Sequence, residues 1–324
     1  MRLDVHNHAL PQPAIDLITS EPVYRVRIHD GVWTGGHHPT FHVDQTFIDP
    51  DAKLAQLEGK GIDGAVVSVI PPLFYTELEL SPLLDLCDAV NRGLAAFHEA
   101  HPSRFHWLAH VPLGYPERAA ELVAEEIGRG AVGVEIPTHV RGRRLDRPEF
   151  EPFWAAAEEL GIPVLLHPFD NPPHPALDDW YLQNVIGNQL ETTVAAERLM
   201  CSGLLDRRPG LRIVLAHAGG YVPFQAGRLR HACTVRAELA AGPRDPWAFF
   251  GRIVVDTITH DRDALAYLVA TVGAENVVLG SDLPFDMATP QPWDALVVAV
   301  GARLAEDIAV RNPARLFALQ AATA

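Results

Sequence analysis

Cysteine is scarce in this chain: Cys87, Cys201 and Cys233 are three residues in 324, an odd number with no close pair. A disulfide scaffold, a CxxC redox pair and a multi-cysteine zinc site therefore fall away. Basic charge is in deficit too. Lysine and arginine total 26 against 41 aspartates and glutamates, a formal net charge of −15 that opposes the phosphate-neutralising surface of a nucleic-acid binder. No apolar run approaches the ~18 residues that cross a bilayer, so no membrane segment is expected. The opening residues show no basic segment followed by an apolar stretch, and a cytoplasmic chain is the expectation. Walker, GxSxG and strand-following GxGxxG patterns are missing, which removes nucleotide-dependent, serine-hydrolase and dinucleotide readings.

Apolar residues, in contrast, make up 48% of the chain, ample for a buried core. Residues 2–5, 64–70, 105–111, 131–136, 163–167, 211–217, 252–256 and 276–282 read as eight short strands. Between them lie helical segments such as DPDAKLAQLEGKG, PERAAELVAEEIGRG and RPEFEPFWAAAEELG, which begin near Pro, Asp or Glu and end at Gly. Near-continuous apolar strands alternating with helices imply an α/β fold with a parallel sheet covered on both faces. Eight such units imply closure into a (β/α)8 TIM barrel, one domain over residues 1–324. Residues 12–48 break the alternation. There YRVRIHDGVWTGG sets alternating residues around Asp30-Gly31, a hairpin signal, so a small β-rich insertion after strand one is expected over the barrel mouth. The GHH at 36–38 reads as loop within it, its histidines placed to meet substrate.

Histidine is plentiful, with sixteen residues, and several stand where a barrel keeps its chemistry, at the C-terminal ends of strands. In MRLDVHNHALP, His6 and His8 are two apart, so on a strand they project from one face while Leu3 and Val5 take the other. His167 ends strand five in LLHP, His217 ends strand six in LAHAGG, and Asp282 ends strand eight in LGSDLPFD. Each alone has an ordinary explanation, as a satisfied core histidine or a helix cap. Five together on one rim do not, since buried uncompensated polar groups cost about 1–3 kcal/mol apiece. A single divalent metal held by His6, His8, His167 and Asp282, with one position open, accounts for four of them. His217 is then either a further ligand or a general base, and its small neighbours Ala218, Gly219 and Gly220 favour the base. Zinc is the expected ion for a histidine-rich set, with manganese open to a site containing carboxylate.

The segments HNHALP, RFHWLAHVP, THV, LLHPFD, ETT, LAHAGGYVPFQAGRLRH, DTITHD and LGSDLPFD run from residue 6 to about 288. In this order they resemble the amidohydrolase-related decarboxylases typified by aminocarboxymuconate semialdehyde decarboxylase, with resorcylate and carboxyvanillate decarboxylases as relatives. The resemblance implies a metal, usually zinc, on the residues matching His6, His8, His167 and Asp282, with His217 as base. It also implies a homodimer in which Arg228 reaches the neighbouring subunit's site and holds a substrate carboxylate, a task suited to a guanidinium fork. Phe285, Asn184 and Trp180 fall among the expected substrate contacts. Two departures bear on the substrate. Where the family has a further substrate arginine this chain reads TFHVDQTFIDP, with Phe41 and His42 in the neighbourhood and Arg25 and Arg27 poorly spaced to replace it. Asn184 stands where the family has a site tryptophan, and Trp180 lies about one helical turn earlier.

The expected activity is non-oxidative decarboxylation of a small unsaturated or aromatic carboxylic acid. The alternative is metal-dependent hydrolysis of a lactone, ester or amide at the same site. Glu135, on strand four in GVEIP, bears on that choice: facing the mouth it would recruit a second ion and favour hydrolysis, whereas facing the helices it would merely be paired.

Overall fold

The computed structural model describes residues 1–35, 40–239, 243 and 245–319. Seven parallel strands pair in chain order: β1 (Leu3–Ala9), β2 (Gly64–Val69), β3 (Phe105–His110), β4 (Gly133–Pro137), β5 (Pro163–His167), β6 (Arg212–Leu215) and β7 (Ile253–Val255). The eighth segment expected over 276–282 is no regular strand, yet it joins the two edges. Val278 N–H donates to Val255 O at 3.0 Å, Val5 N–H to Leu279 O at 2.9 Å and His8 N–H to Leu283 O at 2.8 Å. The sheet thereby curls into a (β/α)8-type barrel without an exposed edge.

Helices begin and end where their local chemistry directs. Asp49 caps Pro50–Glu58, its carboxylate accepting from Ala52 N–H at 2.8 Å, with Pro50 at the first helical position. Glu151–Leu160 stops at Gly161, which takes the left-handed conformation at φ 62°.

Inside the barrel, Leu3, Val5, Val66, Leu108, Leu165, Val214, Val254 and Val278 form an apolar plug below the mouth. Leu3 and Val5 therefore share the inner side with His6 and His8, contrary to simple alternation. The reason is a register shift: Asp4 pairs with Ala65 but Asn7 with Val67, so β1 carries one extra residue and resumes facing inward at His6.

The insertion holds more than a hairpin. The helix Gln12–Ser20 precedes a three-stranded antiparallel sheet of Val26–His29, Val32–Gly35 and Phe41–His42, and the first turn uses Asp30 at φ 50° and Gly31 at φ 72°. Gly36, His37 and His38 lie outside the described residues. Among those described, no helix is long and apolar enough to cross a membrane.

Candidate metal centre

His6, His8, His167 and Asp282 are all buried and each offers a ligand atom within 4.8 Å of every other. The second atom of each imidazole explains how. His6 Nδ1 lies 2.7 Å from Asp256 Oδ2, His8 Nδ1 2.9 Å from Val69 O, and His167 Nδ1 2.9 Å from Pro168 O. Every Nδ1 faces an acceptor and carries the ring proton, so every Nε2 presents its lone pair to the centre. His6 Nε2 and His8 Nε2 are 3.1 Å apart, and His8 Nε2 is 3.1 Å from Asp282 Oδ1. His167 Nε2 and Asp282 Oδ1 are buried with no hydrogen-bond partner among the described residues. Lone pairs so close repel one another unless a cation lies among them, and the set of three imidazoles and a carboxylate fits a divalent metal.

The electrostatics agree with that donor set at His167, His6 and Asp282; at His8 burial lowers the imidazole but Asp282 and Glu135 outweigh it and raise it. Burial, reinforced by the imidazoles of His217, His6 and His8, holds His167 well below the ordinary histidine value. Burial lowers His6 as well, against the pull of Asp256. Asp282 is pushed up by burial, but His217, His8 and His6 outweigh this and keep its carboxylate ionised well below its usual range.

Asp256, at the end of β7, had no role assigned from the sequence and organises the centre. Its Oδ2 accepts from His6 and from His217 N–H at 2.8 Å, and its Oδ1 accepts from Ala218 N–H at 2.7 Å and Ile258 N–H at 3.0 Å. One carboxylate thus orients a ligand and the His217 turn together. Its signal was the one used for the others, a carboxylate directly after an apolar strand.

His217 stands beside the four clustered ligands without being one of them. Its Nε2 is 3.6 Å from Asp282 Oδ2, its ring centroid is 4.9 Å from that of His167, and its Nδ1 is buried without a partner. His217 and Asp282 hold left-handed backbone, φ 54° and 68°, uncommon for residues other than glycine and a recurrent feature of functional sites.

Above the centre the mouth opens into two lobes. A lobe of about 70 Å³ is bounded by Pro71, Pro72, His167, Phe169, Tyr181 and Phe285, and one of about 280 Å³ by His217, Ala218, Tyr221, Phe224, Ile258 and His260. Phe285 packs 5.4 Å from the His8 ring, and Phe41 and Phe47 of the insertion back it at 5.5 and 5.4 Å.

Residues 3–319 match the family model described as amidohydrolase. The chain belongs to the amidohydrolase family. Its relatives include a 2-amino-3-carboxymuconate-6-semialdehyde decarboxylase of Dictyostelium discoideum, 29% identical over 90% of this chain and 84% of that one. A gamma-resorcylate decarboxylase of Rhodococcus jostii is 30% identical over 83% and 87%. Among solved structures, 5-carboxyvanillate decarboxylase from Sphingomonas paucimobilis superposes with a TM-score of 0.84, at 24% identity over 99% of both chains.

In this amidohydrolase Asn184 lines both lobes and Phe285 the smaller. Trp180 does not join them: it is 85% exposed, and Tyr181 turns into the mouth instead. Arg228 is exposed on the helix Val222–Val235, with no hydrogen bond or ion pair among the described residues. Arg25 and Arg27 border a separate surface cavity beside Thr19 and Glu21. Glu135 faces the barrel interior but lies outside the ligand cluster. Its carboxyl is 4.0 Å from Nδ1 of His8, the side turned away from the centre, and burial raises it to about 8.

Proposed function

We propose that this amidohydrolase is a metal-dependent decarboxylase of a small unsaturated or aromatic carboxylic acid. The observation that carries the reading is the convergence of three imidazole lone pairs and one carboxylate beneath a mouth that His217 borders. The named activities of the relatives, decarboxylation of an aminocarboxymuconate semialdehyde and of gamma-resorcylate, support it. A divalent ion held by His6, His8, His167 and Asp282 would supply Lewis-acid polarisation of a substrate oxygen.

The chain's own residues do the rest. As the carbon–carbon bond breaks, its electron pair stays on the substrate carbon, which must take a proton while CO2 leaves. His217 Nε2, on the wall of both lobes and next to Asp282, is positioned to hold and deliver that proton. Phe285, Phe169, Pro71 and Pro72 exclude water and grip a flat apolar body.

The ion we assign is zinc, which suits three imidazoles and a carboxylate; manganese is the second choice and is carried by a 5-carboxyvanillate decarboxylase of Novosphingobium aromaticivorans. We further propose a cytoplasmic homodimer in which Arg228, unpaired among the described residues, reaches across to a substrate carboxylate. Hydrolysis of a lactone, ester or amide is the weaker reading, because Glu135 faces the back of His8 and not the cluster.

CO2 release by the metal-loaded protein across hydroxybenzoates, heteroaryl acids and muconate-type acids tests the proposal. At least one acid should be consumed, and His217→Ala should lower its kcat by roughly 10²–10⁴ with metal content unchanged. Silence across the panel, or full activity in the variant, refutes it.

A further inference from the structure

Five side chains line both lobes of the mouth: Asn184, Asn188, His217, Asp282 and Met287. An acid seated against the ligand cluster passes them whichever lobe takes the rest of it. Two of the five are amides, and the structure treats them differently. The Asn184 amide makes no hydrogen bond among the described residues and is free to present either end.

Asn188 is fixed. The Asn171 amide nitrogen donates to the Gln183 backbone carbonyl at 3.1 Å and to Asn188 Oδ1 at 2.7 Å. A backbone carbonyl only accepts, so the Gln183 contact establishes which end of Asn171 carries the hydrogens, and both of them are then used. Asn188 must turn its oxygen to Asn171. Its own NH2 has no partner among the described residues and is left to the cavity.

The local backbone serves this arrangement. Gln183–Asn188 is a π-helical turn, a feature frequent at functional sites. Gly187 within it leaves room for the Asn171 amide, since a Cβ there would stand 3.0 Å from Nδ2.

We propose that Asn188 is a specificity-determining residue, a fixed hydrogen-bond donor that selects acids bearing an oxygen acceptor over their amino-substituted counterparts; the assignment rests on the decarboxylase reading of the site. A hydroxyl or phenolate oxygen accepts from the Asn188 NH2. An amino group in the same place sets N–H against N–H and leaves a donor unpaired in a partly dehydrated cleft, which weakens binding roughly tenfold or more.

The test is calorimetric binding of hydroxybenzoates and aminobenzoates, paired by ring position, to the zinc-loaded protein, with CO2 release followed in the same samples. At least one hydroxy acid should bind roughly tenfold or more tightly than its amino twin. Asn188→Asp should abolish or invert that preference, because the carboxylate keeps one oxygen for Asn171 and turns a second acceptor to the cavity. Asn171→Leu should bring the ratio toward one, because it frees the Asn188 amide to turn either end. A merely structural role would weaken both members of a pair alike and leave their ratio fixed. Equal binding in every pair, no binding at all, or a preference unchanged in both variants overturns the proposal. Discrimination without any CO2 release overturns the decarboxylase reading and leaves the donor assignment standing; CO2 release without discrimination does the reverse.

Discussion

Glu135 is the residue whose surroundings conflict most with its charge. Burial lifts the group from about 4.5 to about 8, against the opposing pull of His8 and of the Ser68 hydroxyl. A carboxyl raised in the folded state binds more protons there than in the unfolded chain. The stability it contributes is complete below about 4.5 and is lost as pH rises through about 8. Glu135→Gln, which keeps the shape and removes the titration, should therefore leave the melting temperature of chelator-treated protein nearly unchanged at pH 5. At pH 9 the variant should melt several degrees above the parent. A parent that melts with or above the variant at pH 9 contradicts this account. Residues such as His167, His217 and Asp282 were legible in the sequence because each ends an apolar run. Asp256 ends one as well, but its task is to orient His6 and the His217 turn, and second contacts of that kind carry no spacing signature of their own.

The strand β1 shows what an element adds. Spacing alone gave two histidines on one face, which holds, and set Leu3 and Val5 opposite them, which the extra residue between Asp4 and Asn7 reverses. A bulge is invisible to alternation because both faces here are buried and polar residues stand on each, so polarity does not mark the slip. The shifted strand is held from behind. Lys53, fully buried, donates to Asn7 Oδ1 at 2.9 Å and His8 O at 2.8 Å, while Asp4 accepts from Asn7 and Ser281. On the inner side the tolerance is set by Gly280. A Cβ there would stand 2.8 Å from Asp256 Cβ and 3.0 Å from His6 Cβ, atoms close to the backbone that have little room to retreat. Gly280→Ala should therefore displace the His6–Asp256 pair and weaken zinc binding, measured by chelator competition, by roughly tenfold or more, as losses of groups that orient metal ligands do. Unaltered affinity in a folded variant would show that the pair has slack which the packing conceals. The insertion teaches the converse: its hairpin was legible from Asp30-Gly31, whereas the strand Phe41–His42 is too short to have a period.

Across the whole molecule, the ligands come from residues 6, 8, 167 and 282, that is, from β1, from β5 on the far side and from the closing segment 276–283. That segment lacks the continuous ladder of the other seven strands and meets β1 and β7 through single bridges. A metal joining His6 and His8 to Asp282 would therefore add a clasp across the seam between β1 and that segment, beside the backbone hydrogen bonds that Val5, His8 and Asp282 N–H make there. In the unfolded chain the His6–His8 pair, His167 and Asp282 are each more than a hundred residues from the next and offer no comparable site, so binding free energy becomes folding free energy. Each tenfold rise in free metal above the dissociation constant should add about 1.4 kcal/mol. The melting temperature should fall on chelation, recover on adding zinc, and climb linearly with the logarithm of free zinc. At equal concentration zinc should stabilise more than manganese, following the general affinity order. His167→Ala should flatten the dependence by removing one ligand without touching the seam. If chelation and zinc leave the melting temperature of the parent unmoved, the four residues do not form a site that binds metal at these concentrations, and the clasp at the seam must be sought in the protein's own contacts.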